Sequence, residues 1–257
     1  MKVLLTTLLM AGFATAGCAE TISGLCMVSA SHDKDAAEVV FRSSDCGDHG
    51  NNCSMSNDSD IAWSRWTGVS SEALKQEGAQ LIAHMNGEPG DLQCSGTVHD
   101  GILSGRYEFT PHAAFVQKMA SMGFNEITPR KQEGFLMLDI TTLWVQQMKD
   151  AGVTELTTNK LMGLKALHVD RDYIRGRSEA GYPELRAGKL TEMKAVGVTP
   201  EKAREAKALG FQPTEQELIQ MSIFKVDRPF VERMRARGLT NLTLDKLIKV
   251  KIFKLED

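Results

Sequence analysis

The sequence predicts a mainly α fold: an α-solenoid of five helical-hairpin repeats preceded by a small, disulfide-stapled antiparallel β module. Three observations carry this expectation. Glycines recur at Gly123, Gly152, Gly181, Gly210 and Gly238, with spacings of 29, 29, 29 and 28. Residues 80–109 alternate in polarity between turn signals. Four cysteines, Cys26, Cys46, Cys53 and Cys94, all precede the repeats.

The chain opens with Met1-Lys2 and an apolar run from Val3 to about Ala16. That run is too short to span a bilayer, and small residues follow it, so residues 1–19 are expected to be a secretory signal. Thr15-Ala16-Gly17-Cys18 resembles a lipobox, which would make Cys18 a lipidated N-terminus, although Thr15 stands where Leu is usual. Cleavage after Ala16 or Ala19 is the alternative. Export implies an oxidising compartment, where the four remaining cysteines can pair in three ways. Cleavage after Ala16 would leave Cys18 as an odd fifth. Cys46, His49 and Cys53 match no standard zinc spacing, so no metal is expected.

Residues 20–60 are rich in Ser, Asp, Asn and Gly and read as a polar tether, with a short ordered piece around residues 36–42. Residues 61–109 read as a β meander, with strands at 80–85, 92–98 and 102–109. Asn86-Gly87, Pro89-Gly90 and His99-Asp100-Gly101 supply its turns. A meander this small needs a partner surface or staples.

Residues 110–257 carry the repeat. Eight residues before each glycine stand Phe115, Trp144, Tyr173, Lys202 and Phe230; seven before stand Val116, Val145, Ile174, Ala203 and Val231; four before stand Met119, Met148, Arg177, Ala206 and Met234. These offsets place apolar groups on one helical face. Thr141, Asp170, Thr199 and Asp227 are expected N-caps, and each glycine closes its helix in the left-handed conformation. Thr128, Thr157, Thr214 and Thr243 would cap a second helix, with Arg186 the exception. The fourth repeat is one residue short at Gln212-Pro213. Ten-residue helices are marginal alone, so stacking must supply the core.

The net charge of −3 comes from 30 basic and 33 acidic residues and argues against a nucleic-acid partner. It is unevenly spread: about −8 before Pro111 and about +5 after. Lysines recur eight residues after the glycines (Lys131, Lys160, Lys189, Lys246) and thirteen after (Lys165, Lys194, Lys251). Lys160, Lys165, Lys189, Lys194, Lys246 and Lys251 would form a ladder facing an acidic partner. A second basic row would run through Lys149, Arg175, Arg204, Lys207 and Arg235, and Glu215 and Glu217 would lie in an exposed first helical turn.

Gly197-Val198-Thr199-Pro200-Glu201, followed by Lys207-Ala208-Leu209-Gly210-Phe211, resembles helical repeats of bacterial envelope proteins. Some of these form C-terminal arrays on beta-lactam-sensor-type membrane metallopeptidases. Gly96, Gly101 and the run Gly105-Arg106-Tyr107-Glu108-Phe109-Thr110-Pro111 resemble the glycine-rich strands before such arrays. The resemblance covers about residues 78–257 and implies architecture and an envelope setting. No His-Glu-x-x-His is present, so no catalytic residue carries over.

No phosphate loop or G-x-S-x-G elbow occurs, and the six histidines show no ligand spacing. The expectation is therefore a non-enzymatic protein without cofactor, either periplasmic or a lipoprotein of the outer membrane or cell surface. It would bind an envelope or secreted protein as adaptor, sensor partner or inhibitor, touching the membrane only through a lipid anchor. The alternatives are an immunity protein that captures a secreted toxin or enzyme, a structural spacer, and a hydrolase with an unrecognised site.

Overall fold

The computed structural model describes residues 21–43 and 59–255. The expected signal segment, Cys18, Cys46, His49 and Cys53 lie outside the described residues. Six strands, β1 (Ile22–Ala30), β2 (Ala36–Ser43), β3 (Ser59–Ala62), β4 (Gln80–Gly87), β5 (Gly90–His99) and β6 (Ile102–Pro111), form one sheet in the order β3-β2-β1-β6-β5-β4. All pairings are antiparallel. The sheet is two meanders, β1-β2-β3 and β4-β5-β6, joined where β1 pairs with β6.

The sheet curls into a half-barrel. Its inner face carries Val28, Val39, Phe41, Met85, Leu92, Leu103, Tyr107 and Phe109, all buried. Glycines permit the curl. A Cβ at Gly24, Gly96 or Gly105 would run into a backbone carbonyl of the neighbouring strand, at Arg42, Ser104 and Ser95 respectively. Gly105 also leaves β6 bare on the inner side, and Cys26 on β1 is paired with it in register. The Cys26–Cys94 disulfide therefore crosses over β6, with the two Cα atoms 6.1 Å apart. In a flat sheet, strands two places apart lie roughly 9–10 Å from one another. Curl and disulfide thus depend on the same bare strip. Short 3-10 turns at Trp63–Arg65 and Ala73–Lys75, with Trp66, Val69 and Leu74, cover the inner face.

Ten helices follow: α1 (Ala113–Ser121), α2 (Pro129–Met137), α3 (Thr142–Asp150), α4 (Thr158–Ala166), α5 (Arg171–Glu179), α6 (Ala187–Ala195), α7 (Pro200–Ala208), α8 (Glu215–Ile223), α9 (Arg228–Ala236) and α10 (Leu244–Ile252). They form five hairpins. The side chains of Thr128, Thr141, Thr157, Asp170, Thr199, Thr214, Asp227 and Thr243 each accept the backbone N–H three residues on. Arg186 makes no side-chain cap. The first helix of each hairpin ends at its left-handed glycine; Gly123 N–H bonds to Ala120 and Phe124 N–H to Met119, the Schellman pattern. The second helices end the same way at Asp139, His168, Gly197, Lys225 and Lys254, all with positive φ. Only one of these is glycine, so four of the five stops tolerate the left-handed cost. Even-numbered helices pack on the next even one, and α1 on α3 and α5 on α7 form the other row.

The helix α2 belongs to two cores. Leu136 and Met137 pack into the sheet's interior, while Phe135 packs with Phe115, Met119, Ile140 and Val145 in the helical array. Polar contacts lock this joint. Arg65 donates to the carbonyls of Leu136 (2.7 Å) and Met137 (3.2 Å), capping the end of α2. Glu88, in the β4–β5 turn, accepts from the Thr142 N–H (2.9 Å) and hydroxyl (2.7 Å) at the start of α3. Glu133 is buried against the Tyr107 hydroxyl and Arg130. Burial outweighs those two partners and pushes the Glu133 carboxyl above its usual range.

The fold class expected from the sequence is corrected by this architecture. Among the described residues helix makes up 44% and strand 23%, so a six-stranded sheet, and not a small module, precedes the helices. Residues expected to be tether form β1, and the ordered piece expected around residues 36–42 is the strand β2. Their alternation is masked because the inward positions of β1 include the small Gly24 and Cys26, while the outer face carries exposed Leu25 and Met27. Period-2 contrast is lost when both faces are mixed.

Two outcomes follow. Cys26→Ser with Cys94→Ser opens a loop of 68 residues and is expected to lower stability by about 4 kcal/mol. Denaturant unfolding measures this, and a loss below about 1 kcal/mol would show the curl to be self-supporting. Glu133 has a raised folded-state pKa, so the folded chain keeps a proton that the unfolded chain releases. Its contribution is full below the unfolded value of about 4.3 and falls as pH rises toward the folded value. Glu133→Gln is expected to flatten that fall in the urea midpoint; an unchanged slope would refute the assignment.

Candidate functional site

The lysines expected to form an open ladder are engaged within the array. Lys165 lies over the Trp144 ring (5.1 Å to the centroid), Lys194 over Tyr173 (4.6 Å) and Lys251 over Phe230 (4.2 Å). In each case the lysine thirteen residues after a glycine covers the ring eight residues before it. The thirteen-after lysines are thus cation–π lids in the second, third and fifth hairpins. Lys165 also sits 3.7 Å from Asp139. The other row is tied to neighbours: Lys160 to Glu155 (3.1 Å), Lys189 to Glu192 (2.5 Å), and Lys246 to the Asn241 carbonyl (3.2 Å). The structure does not bring these six lysines together as one free surface.

The second basic row divides. Lys149, Lys207 and Arg235 donate to the carbonyls of Met122 (3.1 Å), Ala180 (2.6 Å) and Leu209 (2.7 Å). Each acceptor ends the first helix of the preceding hairpin, so these cations join repeats and complement a helix C-terminus. Arg175 and Arg204 pair with Asp172 and Glu201 on their own helices. Of the two glutamates expected in an exposed turn, Glu217 closes a capping box with Thr214. Glu215 pairs with Arg177, which is 2% exposed. Arg177 stands where Met119, Met148 and Met234 stand in other hairpins, and burial pulls its pKa down.

The fourth hairpin departs from the rest. At the ring position it has Lys202, at the lid position Ser222, and four residues before its glycine Ala206. Lys202 is exposed and donates from Nζ to the Ser222 hydroxyl (3.3 Å), which donates to the Val196 carbonyl (2.5 Å). Both the ring and the Met-sized side chain are gone, and a cavity of about 170 Å³ stands between α7, α8 and the start of α9. Ala206, Leu209, Leu218, Met221 and Val226 form its apolar floor, and Lys202, Glu205, Lys225, Asp227 and Arg228 its charged rim. In the third hairpin the counterpart of Val226 is Val198, whose carbonyl accepts the Tyr173 hydroxyl (3.0 Å). The walls for a ring are therefore kept where the ring is absent.

No protein-family model matches the chain, and no curated protein or solved structure matches it significantly. The site therefore rests on its own geometry. Among the described residues, no group of three or more His, Cys, Asp or Glu is placed to hold a metal, and no helix is long and apolar enough to cross a membrane.

The signal for this cavity was present in the repeat alignment as a coincidence of losses at three offsets. The lids carry their own test. Lys194→Met is expected to cost about 0.5–1 kcal/mol of stability through the lost contact with Tyr173. Lys160→Met, which uncovers no ring, should change it by less than about 0.5 kcal/mol. Equal losses in denaturant melts would remove the lid assignment.

Proposed function

We propose that the protein is an exported, non-catalytic binding module of the cell envelope, and that it engages a partner protein at the fourth hairpin. The observation that carries this reading is the cavity there, apolar beneath and charged around, in the hairpin that lacks both ring and lid. Apolar concavities with a few convergent polar groups are the usual places where proteins receive ligands. The apolar run of residues 3–16 and the Cys26–Cys94 disulfide support export to an oxidising compartment. Cys18 remains the proposed lipid attachment point. An adaptor, sensor partner or inhibitor all fit this reading, because each needs a rigid surface that holds one accessible pocket.

Site-resolved photo-crosslinking tests it. A benzoyl-phenylalanine at Lys225, on the cavity rim, is expected to give one discrete adduct in cells, and the same group at Lys160, on the second hairpin, none. Adducts of equal yield at both positions, or none at Lys225, would overturn the proposal.

A further inference from the structure

The cavity of the fourth hairpin has a shape inherited from the repeat, and that shape specifies what fits. Three other hairpins pair a first-helix aromatic with a second-helix lysine: Trp144 with Lys165, Tyr173 with Lys194, Phe230 with Lys251. Leu218, Met221 and Val226 repeat the positions of Leu190, Met193 and Val198, so the hydrophobic backing is unchanged. What changes is the filling: Lys202 for the aromatic and Ala206 for the methionine or arginine. The resulting volume of about 170 Å³ is close to the roughly 150 Å³ of an engineered apolar cavity that takes up benzene.

The rim adds a second requirement. Glu205 is engaged by Arg228 at 2.9 Å, and the Asp227 carboxylate accepts the Phe230 N–H (3.0 Å) at the start of α9. Glu205 is thus neutralised, and Asp227 leaves one carboxylate on the rim against Lys202 and Lys225. Lys225 has no ion-pair partner among the described residues, and Lys202 holds only the Ser222 hydroxyl. The charge left over at the mouth is positive. Among the described residues on the rim, Asp227 answers only one of the two lysine charges.

Resting on the partner-binding reading above, we infer that the fourth hairpin receives an aromatic side chain of its partner that carries a carboxylate beside it, as at a Phe or Tyr next to an acidic residue or at an aromatic C-terminus. The ring takes the place that Trp144, Tyr173 and Phe230 hold in their own hairpins. Lys202 and Lys225 face the carboxylate, so the hairpin is completed in trans by the group its own sequence lacks.

The test uses the purified full chain with 3-phenylpropionate and its amide as probes, read by NMR shifts of the Met221 and Leu218 methyls. The acid is expected to give saturable shifts, and the amide to bind about tenfold more weakly. Lys202→Phe with Ala206→Met rebuilds the hairpin's own filling and is expected to abolish the shifts while raising the melting temperature. Lys225→Gln keeps the fold and is expected to narrow the gap between acid and amide. No saturable shift with the acid, an equal response to acid and amide, or shifts that persist in the refilled variant each overturn the inference. If the Lys225 crosslink forms but the acid does not bind, this inference fails alone. If the acid binds but no crosslink forms, the partner-protein reading fails and the pocket takes a small aromatic acid instead.

Discussion

One helix has to satisfy two cores, and the molecule is organised around that demand. A half-barrel open on its inner side exposes Phe41, Met85, Leu92 and Tyr107 unless something covers it, and α2 does so with Leu136 and Met137. The preceding residue, Phe135, meets Phe115 edge-on in the helical array. Successive residues of one turn thus point into separate interiors, which fixes the rotation of α2 about its axis. Arg65, in the 3-10 turn that follows β3, fixes its end through two carbonyls, and Glu88 fixes the start of α3. Each later hairpin inherits its orientation from this joint, because hairpins in a stack contact chiefly their neighbours.

Close approach is the price of the joint. A Cβ at Gly87 would press on Leu136, so the β4–β5 turn meets α2 where no side chain intervenes. Buried polarity gathers at the same place: Tyr107, Glu133, Ser43 and Arg130 lie where sheet, helix and charge coincide. Burial and Glu133 raise the Tyr107 hydroxyl well above the usual phenol range, so it stays a proton donor. Such a cluster is costly to leave half-satisfied, and that makes sliding of α2 against the sheet unfavourable.

The helical half was legible because its signals are local. A threonine or aspartate three residues before a helical N–H, a glycine that alone accepts a left-handed stop cheaply, and a 29-residue echo all act within one hairpin. Even so, the second helices end at Asp139, His168, Lys225 and Lys254, where no glycine announces the stop. The sheet was legible as strands only for β4, β5 and β6, whose turns are short, while β2 showed only as an ordered piece around residues 36–42. The strand β1 pairs with β6 across some eighty residues, and no local pattern marks that. Its exposed Leu25 and Met27 also erase the alternation that would have marked it as a strand. At the candidate site, the lysine recurrence was visible but its meaning was not. Recurrence looks the same whether a lysine faces a partner or covers its own tryptophan, and only the placement of Trp144, Tyr173 and Phe230 beneath the lysines separates the two.

A cavity in a closely packed protein usually shrinks as its neighbours relax inward. The fourth hairpin resists this because it is held from outside. On one side Tyr182 donates to the Pro213 carbonyl at 2.7 Å, within the shortened loop itself, and Lys207 reaches back to Ala180. The buried Arg177 of the third hairpin grips Glu215 at the start of α8. On the other side Arg228 ties α9 to Glu205, and Arg235 caps the end of α7 at Leu209. Every element that lines the cavity is thus anchored to a neighbouring hairpin. The shortened loop at Gln212-Pro213 belongs to the same frame, since its Pro213 carbonyl is the one Tyr182 uses. Framed in this way, the hairpin can lack its own ring without collapsing. A guest entering the cavity then meets a site already formed and pays little to order it.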